Sequence, residues 1–159
     1  MQTKLKPYFI SVIIALGVGL LSAFLTAGSM NIYQDIITPP LSPSAAVFPI
    51  VWTILYILMG ISAAMIYTDE FASLPQRKSA LYTYAASLVV NFFWSIIFFN
   101  MRSYFFAFIW LLLLLFLIIR TIMKYYKTNP IAAYLQLPYL AWVTFAGYLN
   151  FAIWYLNRG

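Results

Sequence analysis

Three segments of this 159-residue sequence carry large aromatic side chains at helical spacing, each with an amide or a hydroxyl among them. Residues three or four positions apart lie on one face of a helix, so each segment predicts an aromatic stripe. The stripes comprise Phe48, Trp52 and Tyr56, then Ser87, Asn91, Trp94, Ser95 and Phe98, and then Trp142, Phe145, Ala146, Leu149 and Asn150. Aromatic walls with a few placed polar groups are typical of sites that bind flat apolar molecules.

The same stripes also have a structural interpretation, because rings at helical spacing usually pack a helix interface and asparagines often join helices within a membrane. An unpaired amide in hydrocarbon is costly, so Asn91 and Asn150 are expected to face the interior of a bundle. A stripe of small residues recurs every four positions near the amino terminus: Ser11, Ala15, Gly19, Ala23 and Ala27. Bulky rings facing such small side chains favour a slot between the helices.

The chain lacks the residues of conventional enzyme sites. It contains no cysteine and no histidine, which excludes disulfides, thiolate chemistry and a histidine general base. Its three acids, Asp35, Asp69 and Glu70, fall outside the apolar runs, so no buried carboxylate relay is expected. Without a nucleophile–base pair or a glycine-rich phosphate loop, we expect no hydrolase, no metal and no cofactor.

Composition indicates that the elements carrying these residues lie in a membrane. Hydrophobic residues make up 65% of the chain and charged residues 8%, whereas soluble domains have about 25% charged residues. Five stretches have the length and apolar character of bilayer-spanning helices: 7–27, 46–67, 80–100, 104–123 and 131–156. We therefore predict an all-α integral membrane protein, a single domain over residues 1–159 built as a bundle of five transmembrane helices.

Lysine and arginine are distributed unevenly between the two ends of this predicted bundle. Only Arg102 and Arg158 belong to one end. The other end holds Lys4, Lys6, Arg77, Lys78, Arg120, Lys124 and Lys127. Because positively charged loops remain in the cytoplasm, we expect a cytoplasmic amino terminus, an outer carboxyl terminus and a multi-pass location in the cell membrane. This bias explains the net charge of +6, and no nucleic-acid partner is expected.

The first apolar segment admits further interpretations. Lys4 and Lys6 precede it, as basic residues precede the apolar part of a signal peptide, although a run that reaches Ala27 is long for one. Its small residues favour close helix packing, either within one chain or at the seam of a homodimer.

Three motifs contain the aromatic stripes described above. The first runs from Pro39-Pro40-Leu41-Ser42-Pro43 into Val47-Phe48-Pro49-Ile50-Val51-Trp52-Thr53-Ile54-Leu55-Tyr56. The second is Asn91-Phe92-Phe93-Trp94, followed by Ile97-Phe98-Phe99. The third is Pro138-Tyr139-Leu140-Ala141-Trp142 with Phe145-Ala146 and Leu149-Asn150. In order and spacing they resemble the TspO/MBR family of tryptophan-rich sensory proteins and translocator (peripheral-type benzodiazepine receptor) proteins. The chain is identified as a bacterial member of that family.

The resemblance implies five transmembrane helices, often in a homodimer, around a pocket for tetrapyrroles such as protoporphyrin IX. It also implies binding of isoquinoline carboxamide or benzodiazepine-type ligands, and of sterols in some members. Matching positions imply a pocket lined by Trp52, Asn91, Trp142, Phe145, Ala146 and Leu149, with the first loop as a lid. To these candidates we add Phe48, Tyr56 and Trp94 from the aromatic stripes, and Tyr33 from the loop.

Some family members degrade porphyrin in light and oxygen, and the resemblance implies the same possibility here. Such chemistry needs no acid–base residue, because a bound porphyrin is itself the photosensitiser and the protein supplies its position. Trp52 and Trp142 are the candidate catalytic residues, since indoles can donate electrons to the excited ring. Metal-free porphyrin is favoured over haem, whose iron usually takes a histidine ligand that this chain lacks.

The first loop departs from the family pattern at three positions. Ile32-Tyr33 stands where members often have Trp-Tyr, and Leu41 and Ala46 occupy positions commonly held by tryptophan. A lid with fewer indoles is expected to hold ligand less tightly.

Two other functions are compatible with the same pocket. One is a transporter or shuttle of porphyrins or sterol-like lipophiles, although the sequence shows no inverted repeat and no intramembrane charge for coupling. The other is a regulatory protein that senses ligand without chemistry and acts through a partner.

Overall fold

The structure is a computed structural model that describes residues 2–159, with side chains described from residue 4 onward. Within this range the chain is helical, with turns and loops between the helices and no β-strand. The α-helices are α1 (Gln2–Thr26), α2 (Ile32–Asp35), α3 (Val47–Tyr67), α4 (Leu74–Ser95), α5 (Tyr104–Thr128), α6 (Pro130–Leu135) and α7 (Leu137–Leu156). The all-α prediction is confirmed.

Among the described residues, four helical stretches are long and apolar enough to cross a bilayer: α1, α3, α4 with its continuation to Asn100, and α5. They correspond to the first four predicted spans. Helix α7 has 20 residues but is not among these four. The five-span count and the orientation of the termini stay predictions.

Three helix boundaries extend the predicted spans by five residues or more. Helix α1 begins at Gln2, not at residue 7. Helix α4 begins at Leu74, not at residue 80, because Ser73 and Gln76 form a reciprocal capping box and Pro75 lies in the first turn. Helix α5 continues to Thr128, past the predicted end at residue 123. The polar residues that suggested loops therefore form terminal helical turns.

The predicted fifth helix is divided at Gln136 into α6 and α7. Pro138 lies in the first turn of α7, where a missing N–H removes no helical hydrogen bond. The buried Gln136 side chain donates from Nε2 to Ser62 Oγ of α3 at 3.2 Å, and this hydroxyl donates to the Ala132 carbonyl at 2.7 Å. These hydrogen bonds satisfy polar groups at the break and attach it to α3.

Helices α1 and α3 approach closely because each contributes a glycine to their interface. A Cβ atom on Gly60 would lie 2.5 Å from Val12 Cα, and a Cβ atom on Gly19 would overlap the ring of Tyr56. Ala15 between these positions is fully buried. At Ala15 and Gly19, the small-residue stripe of α1 thus packs within the chain.

Helix α4 continues into a π-helical turn, Ile96–Asn100, in which the Met101 N–H donates to the Ile96 carbonyl at 3.0 Å. Such turns insert one extra residue, which changes the direction of the side chains, and they are frequent at functional sites. Here Phe98 is buried in the core, while its neighbour Phe99 borders a cavity between α1, α3, α4 and α7.

Candidate functional site

A cavity of about 400 Å³ lies between the carboxyl-terminal half of α1 and the facing parts of α3, α4 and α7. Small-molecule sites usually have volumes of about 300–1,000 Å³. The lining comprises Gly19, Ser22, Ala23, Thr26, Ala27, Met30, Tyr33, Ala45, Phe48, Pro49, Trp52, Tyr56, Trp94, Ser95, Phe99, Trp142 and Ala146. None of these described residues carries a charge, so the cavity suits the apolar body of a ligand.

Helix α3 supplies one wall of the cavity through Phe48, Trp52 and Tyr56, which project from successive turns. The rings of Trp52 and Tyr56 stack with their centroids 5.6 Å apart. Phe48 meets Trp142 of α7 edge-on at 5.9 Å, and Trp52 meets Tyr139 edge-on at 6.2 Å. Both geometries are favourable for aromatic pairs, so the ring planes of this wall are held by one another.

Helix α1 supplies the opposite wall and contributes little side-chain volume. Its lining residues include Gly19, Ala23 and Ala27, together with the hydroxyl-bearing Ser22 and Thr26. Thr26 Oγ1 donates to the Ser22 carbonyl at 2.8 Å, so this hydroxyl is satisfied within the helix. The cavity exists because three helices with aromatic side chains face a helix surface of small residues.

Trp94 of α4 is held by a short hydrogen-bonded chain. Its Nε1 donates to Asn150 Oδ1 at 3.0 Å, and Asn150 Nδ2 donates to the Tyr104 carbonyl at 2.7 Å. The Trp94 ring also stacks on Phe98 with centroids 5.3 Å apart. The indole N–H is thus satisfied by the protein, and the part of Trp94 that reaches the cavity is apolar ring.

The polar side chains at the cavity are neutral. Asn91 Nδ2 donates to Tyr56 Oη at 2.9 Å from behind the aromatic wall. In the short helix α2, burial raises the pKa of Tyr33 to about 12, so this residue offers a neutral hydroxyl at physiological pH. Ser22 and Ser95 add further hydroxyls to the lining. The site can therefore orient a ligand by hydrogen bonding without any ion pair.

The structure brings seven of the ten predicted ligand-binding residues into this lining: Tyr33, Phe48, Trp52, Tyr56, Trp94, Trp142 and Ala146. Both residues predicted to have a photochemical role, Trp52 and Trp142, are among them. The other three lie outside the lining. Asn91 is buried behind Tyr56, Leu149 is buried in the packing of α7, and the Phe145 ring contacts the rings of Trp142 and Tyr148.

The sequence-based site omitted several residues that the structure places at the cavity. Ser22 and Thr26 recur four positions apart in the otherwise apolar second half of α1, and this signal was present in the sequence. Phe99 belongs to the second of the three motifs, but its direction toward the cavity depends on the π-helical turn. The lining also includes Met30, Ala45, Pro49 and Ser95.

The connection between α2 and α3 is fastened to the far end of α7. The Ile37 N–H donates to Asn157 Oδ1 at 2.8 Å, and Asn157 Nδ2 donates to the Ile37 carbonyl at 2.9 Å. Tyr148 Oη donates to the Pro40 carbonyl at 3.0 Å. Because this loop and its flanking residues contribute Tyr33 and Ala45 to the lining, the three hydrogen bonds help to fix one side of the cavity.

The loop positions that depart from the family pattern lie outside the lining. Ile32 is fully buried beneath the loop, where it packs with the core. Leu41 is 80% exposed at a tight turn with φ of +67°, and Ala46 is exposed just before α3. The direct contact of the loop with the cavity is therefore made by Tyr33 and Ala45, not by these three residues.

Comparison with known proteins agrees with this arrangement of motifs. The sequence profile of the TspO/MBR family matches residues 9–156. The tryptophan-rich protein TspO of Archaeoglobus fulgidus is 34% identical over 148 residues, which cover 92% of this chain and 94% of that protein. The tryptophan-rich protein TspO of Chlorobaculum tepidum is 34% identical over 125 residues, covering 79% and 78%. The translocator protein of Bos taurus is 33% identical over 141 residues, covering 88% and 83%. The profile match and these relatives agree with the position of the motifs around one cavity. The chain therefore belongs to the TspO/MBR family, whose members are membrane proteins.

Proposed function

We propose that this protein binds tetrapyrroles, protoporphyrin IX in particular, in the aromatic cavity and promotes their degradation in light and oxygen. The observation that carries the proposal is the position of Trp52, Trp94 and Trp142 around one uncharged cavity. These are three of the five tryptophans in the chain. A flat conjugated ring gains stacking contacts with indoles that a branched aliphatic molecule does not.

The polarity of the cavity supports one orientation of the porphyrin. Its apolar macrocycle enters between the walls, whereas its carboxylate side chains stay at the open side, where Met30, Ala45 and Pro49 are exposed. A carboxylate buried without a partner would be costly, and the lining offers no cation to pair with it. This orientation lets an uncharged site accept an acidic ligand.

The proposed degradation uses chemistry that the porphyrin itself supplies. The bound ring absorbs light and O₂ is the oxidant, so the site needs no general acid or base. Trp52 or Trp142 donates an electron to the excited ring, and the reduced ring passes an electron to O₂ to give superoxide. The ring then returns an electron to the indole radical cation, which restores the indole. The resulting ring radical cation combines with superoxide, so O₂ is added to the macrocycle while it is still held. The contribution of the protein is the position of the two indoles beside the ring.

A binding experiment tests the site with a matched control. Protoporphyrin IX is titrated into the detergent-solubilised protein, and its visible absorption is followed. The variant Trp52→Phe/Trp142→Phe is expected to bind roughly tenfold more weakly, because each lost indole removes a stacking contact. The control Trp110→Phe/Trp154→Phe changes the two tryptophans that do not line the cavity and should bind like the parent protein. Equal affinity in all three proteins would refute the assigned site.

Illumination separates binding from chemistry. With porphyrin bound, the parent protein is expected to bleach the porphyrin absorption in light and air, and not in darkness or under argon. The Trp52→Phe/Trp142→Phe variant, measured at saturating porphyrin, should bleach more slowly than the Trp110→Phe/Trp154→Phe control. Equal bleaching rates at saturation would leave tetrapyrrole binding intact and reject the photochemical role.

The same cavity is proposed to accept isoquinoline carboxamide and benzodiazepine-type ligands, since these are also flat and largely apolar. Such a ligand should displace protoporphyrin IX competitively. Simultaneous binding of both compounds would place one of them elsewhere.

We also propose the membrane arrangement: five spans, with α6 and α7 together as the fifth, a cytoplasmic amino terminus, a location in the cell membrane and a homodimer. The excess of basic residues at one end supports the orientation. Because the chain has no cysteine, a single cysteine introduced at Lys4 or at Gly159 can be labelled uniquely. An impermeant maleimide should label the Gly159 position in intact cells and the Lys4 position only after lysis. Light scattering in detergent then measures the oligomeric state.

Transport or shuttling of porphyrins or sterol-like lipophiles is a second candidate, favoured by a second cavity of about 520 Å³ toward the other end of α1. Tyr56 borders the first cavity and Tyr84 the second, and both are buried, so passage between the cavities would require these rings to move. Porphyrin flux into proteoliposomes in darkness would support transport. If neither flux nor photochemistry occurs, crosslinking to a stoichiometric partner would support a sensing role.

A further inference from the structure

Two adjoining grooves lie between the first turns of α4 and the last turns of α5, away from the aromatic cavity. Their volumes are about 500 and 300 Å³, and they share Pro75, Ser79 and Lys124. Lys78 lines the larger groove and Lys127 the smaller one. Three lysines thus converge on one surface without an acidic residue in either described lining.

Lys124 is oriented by hydroxyl groups and has no carboxylate partner in the grooves. Its Nζ donates to Thr83 Oγ1 at 2.7 Å and to Ser79 Oγ at 2.9 Å. Thr83 Oγ1 in turn donates to the Ser79 carbonyl at 3.0 Å. These neutral contacts fix the ammonium group but leave its charge uncompensated, so an anion beside it would be attracted.

The acids nearest in sequence to the start of α4 do not neutralise the grooves. Asp69 accepts hydrogen bonds from the Phe71 and Ala72 amides at 3.0 Å and from Asn129 Nδ2 at 3.3 Å. Neither Asp69 nor Glu70 lines either groove. The positive charge of the three lysines is therefore available to a ligand.

The grooves change from polar to apolar with depth along the helices. Lys124 lies one turn from the end of α5, whereas Leu117 lies about 10 Å deeper, at a rise of about 1.5 Å per residue. Ala86 of α4 and Leu117 form the deeper lining, and the lysines lie toward the end. A phospholipid has the same gradient, with a phosphate at the interface and acyl chains below it.

We propose that these grooves bind an anionic phospholipid of the surrounding bilayer, with its phosphate beside Lys124 and its acyl chain against Ala86 and Leu117. Basic pockets between transmembrane helices are recognised by anionic lipid headgroups. Lys78 and Lys127 hold the headgroup from either side, and Ser79 contributes a hydroxyl. The bound lipid bridges α4 and α5 and stabilises their packing. This site is independent of the tetrapyrrole proposal, since it shares no lining residue with the aromatic cavity.

The test measures retention of dioleoylphosphatidylglycerol and dioleoylphosphatidylcholine on the full-length protein by native mass spectrometry, and the thermal midpoint with each lipid added. Phosphatidylglycerol should be retained and should raise the midpoint more than phosphatidylcholine. The variant Lys124→Gln/Lys127→Gln should bind phosphatidylglycerol roughly 30-fold more weakly, about fivefold for each lysine. The matched control Lys4→Gln/Lys6→Gln removes two lysines from α1 and should bind like the parent protein.

Two results would overturn the proposal. Equal retention of the two lipids by the parent protein would exclude a headgroup site. Equal losses in both double variants would show only a general effect of surface charge. If the Lys124→Gln/Lys127→Gln variant does not fold, Ser79→Ala, which keeps every charge, serves as the variant, and phosphatidylglycerol binding as tight as in the parent protein would then reject the site.

Discussion

Among single residues, a glycine determines the shape of the cavity because it has no side chain. Gly19 of α1 faces the ring of Tyr56, and a Cβ atom at this position would overlap that ring. Gly17, two positions earlier on the same helix, has open space around it. Both glycines lie in α1, but only Gly19 faces another side chain closely, so Gly17 is a matched control for substitutions at Gly19.

The variant Gly19→Ala is expected to weaken protoporphyrin IX binding, because the added methyl group pushes the Tyr56 ring from its place in the cavity wall. Gly17→Ala should leave binding unchanged and should raise stability by about 0.5–1 kcal/mol, since alanine favours a helix over glycine. Porphyrin titration and thermal unfolding in detergent measure both effects. Equal binding by the two variants would argue against this cavity as the ligand site.

Asn150 is a second residue whose role the structure defines. Replacement by leucine leaves the Trp94 N–H and the Tyr104 carbonyl without their partner. We expect Asn150→Leu to lower the free energy of unfolding by about 2 kcal/mol, within the cost of an unpaired buried group. The control is Asn31→Leu, at an exposed residue whose side chain makes no capping hydrogen bond. A Tm for Asn150→Leu no lower than that of the control would contradict this account.

Among the helices, α5 contains an entirely apolar segment with one buried face and one exposed face. The run from Leu111 to Ile119 contains no polar residue, and the sequence predicts broad exposure to lipid. In the structure, Leu111, Leu114 and Ile118 are buried, whereas Phe116 and Ile119 on the other face are exposed. The sequence alone does not distinguish these two faces, because lipid and protein interior are both apolar and select the same side chains.

The close contact between α1 and α3 depends on Gly60. In Gly60→Ala, the new Cβ atom would meet backbone atoms of Val12, which cannot rotate away, so α1 must move from α3. In Gly147→Ala, the nearest atom is Leu111 Cδ2 at 3.1 Å, a side-chain end that can shift. We expect Gly60→Ala to lower the Tm clearly more than Gly147→Ala. The reverse order would show that α1 packs differently.

At the scale of the whole molecule, the charged residues lie toward the ends of the bundle and the aromatic cavity is neutral. No lysine, arginine, aspartate or glutamate is among the described residues that line it. The proposed ligand binding would therefore rely on shape, stacking and hydrogen bonds. Its dependence on pH must come from the ligand or from the tyrosines.

A neutral isoquinoline carboxamide should bind with constant affinity from about pH 6 to about pH 9, since the chain has no histidine. Burial raises the pKa of Tyr33 to about 12, so in the folded protein this residue stays neutral throughout that interval. In the unfolded chain tyrosine ionises near pH 10, so the stability contributed by the neutral hydroxyl is lost as the pH rises from about 10 to about 12. Titrations at several pH values check the prediction, and a step in affinity between pH 6 and 9 would contradict it.

The membrane character, the four long apolar helices and most of the aromatic wall could be predicted from composition and helical spacing. Composition indicates whether a chain lies in lipid or in water, and helical spacing determines which rings share a face of a helix. Neither inference depends on how the helices pack together. Trp52 and Trp142 could be assigned to one site because they lie in motifs whose order was readable.

The residues that close the cavity could not be predicted in this way, because they depend on helix packing. The π-helical turn places Phe99 at the lining, the break at Gln136 begins α7, and Asn91 lies behind Tyr56 instead of beside the ligand space. Each outcome depends on how neighbouring helices satisfy polar groups and fill space. In this chain nearly every helix face is apolar. Hydrophobic periodicity therefore cannot show which face contacts another helix, because apolar side chains are favoured both against lipid and against helices.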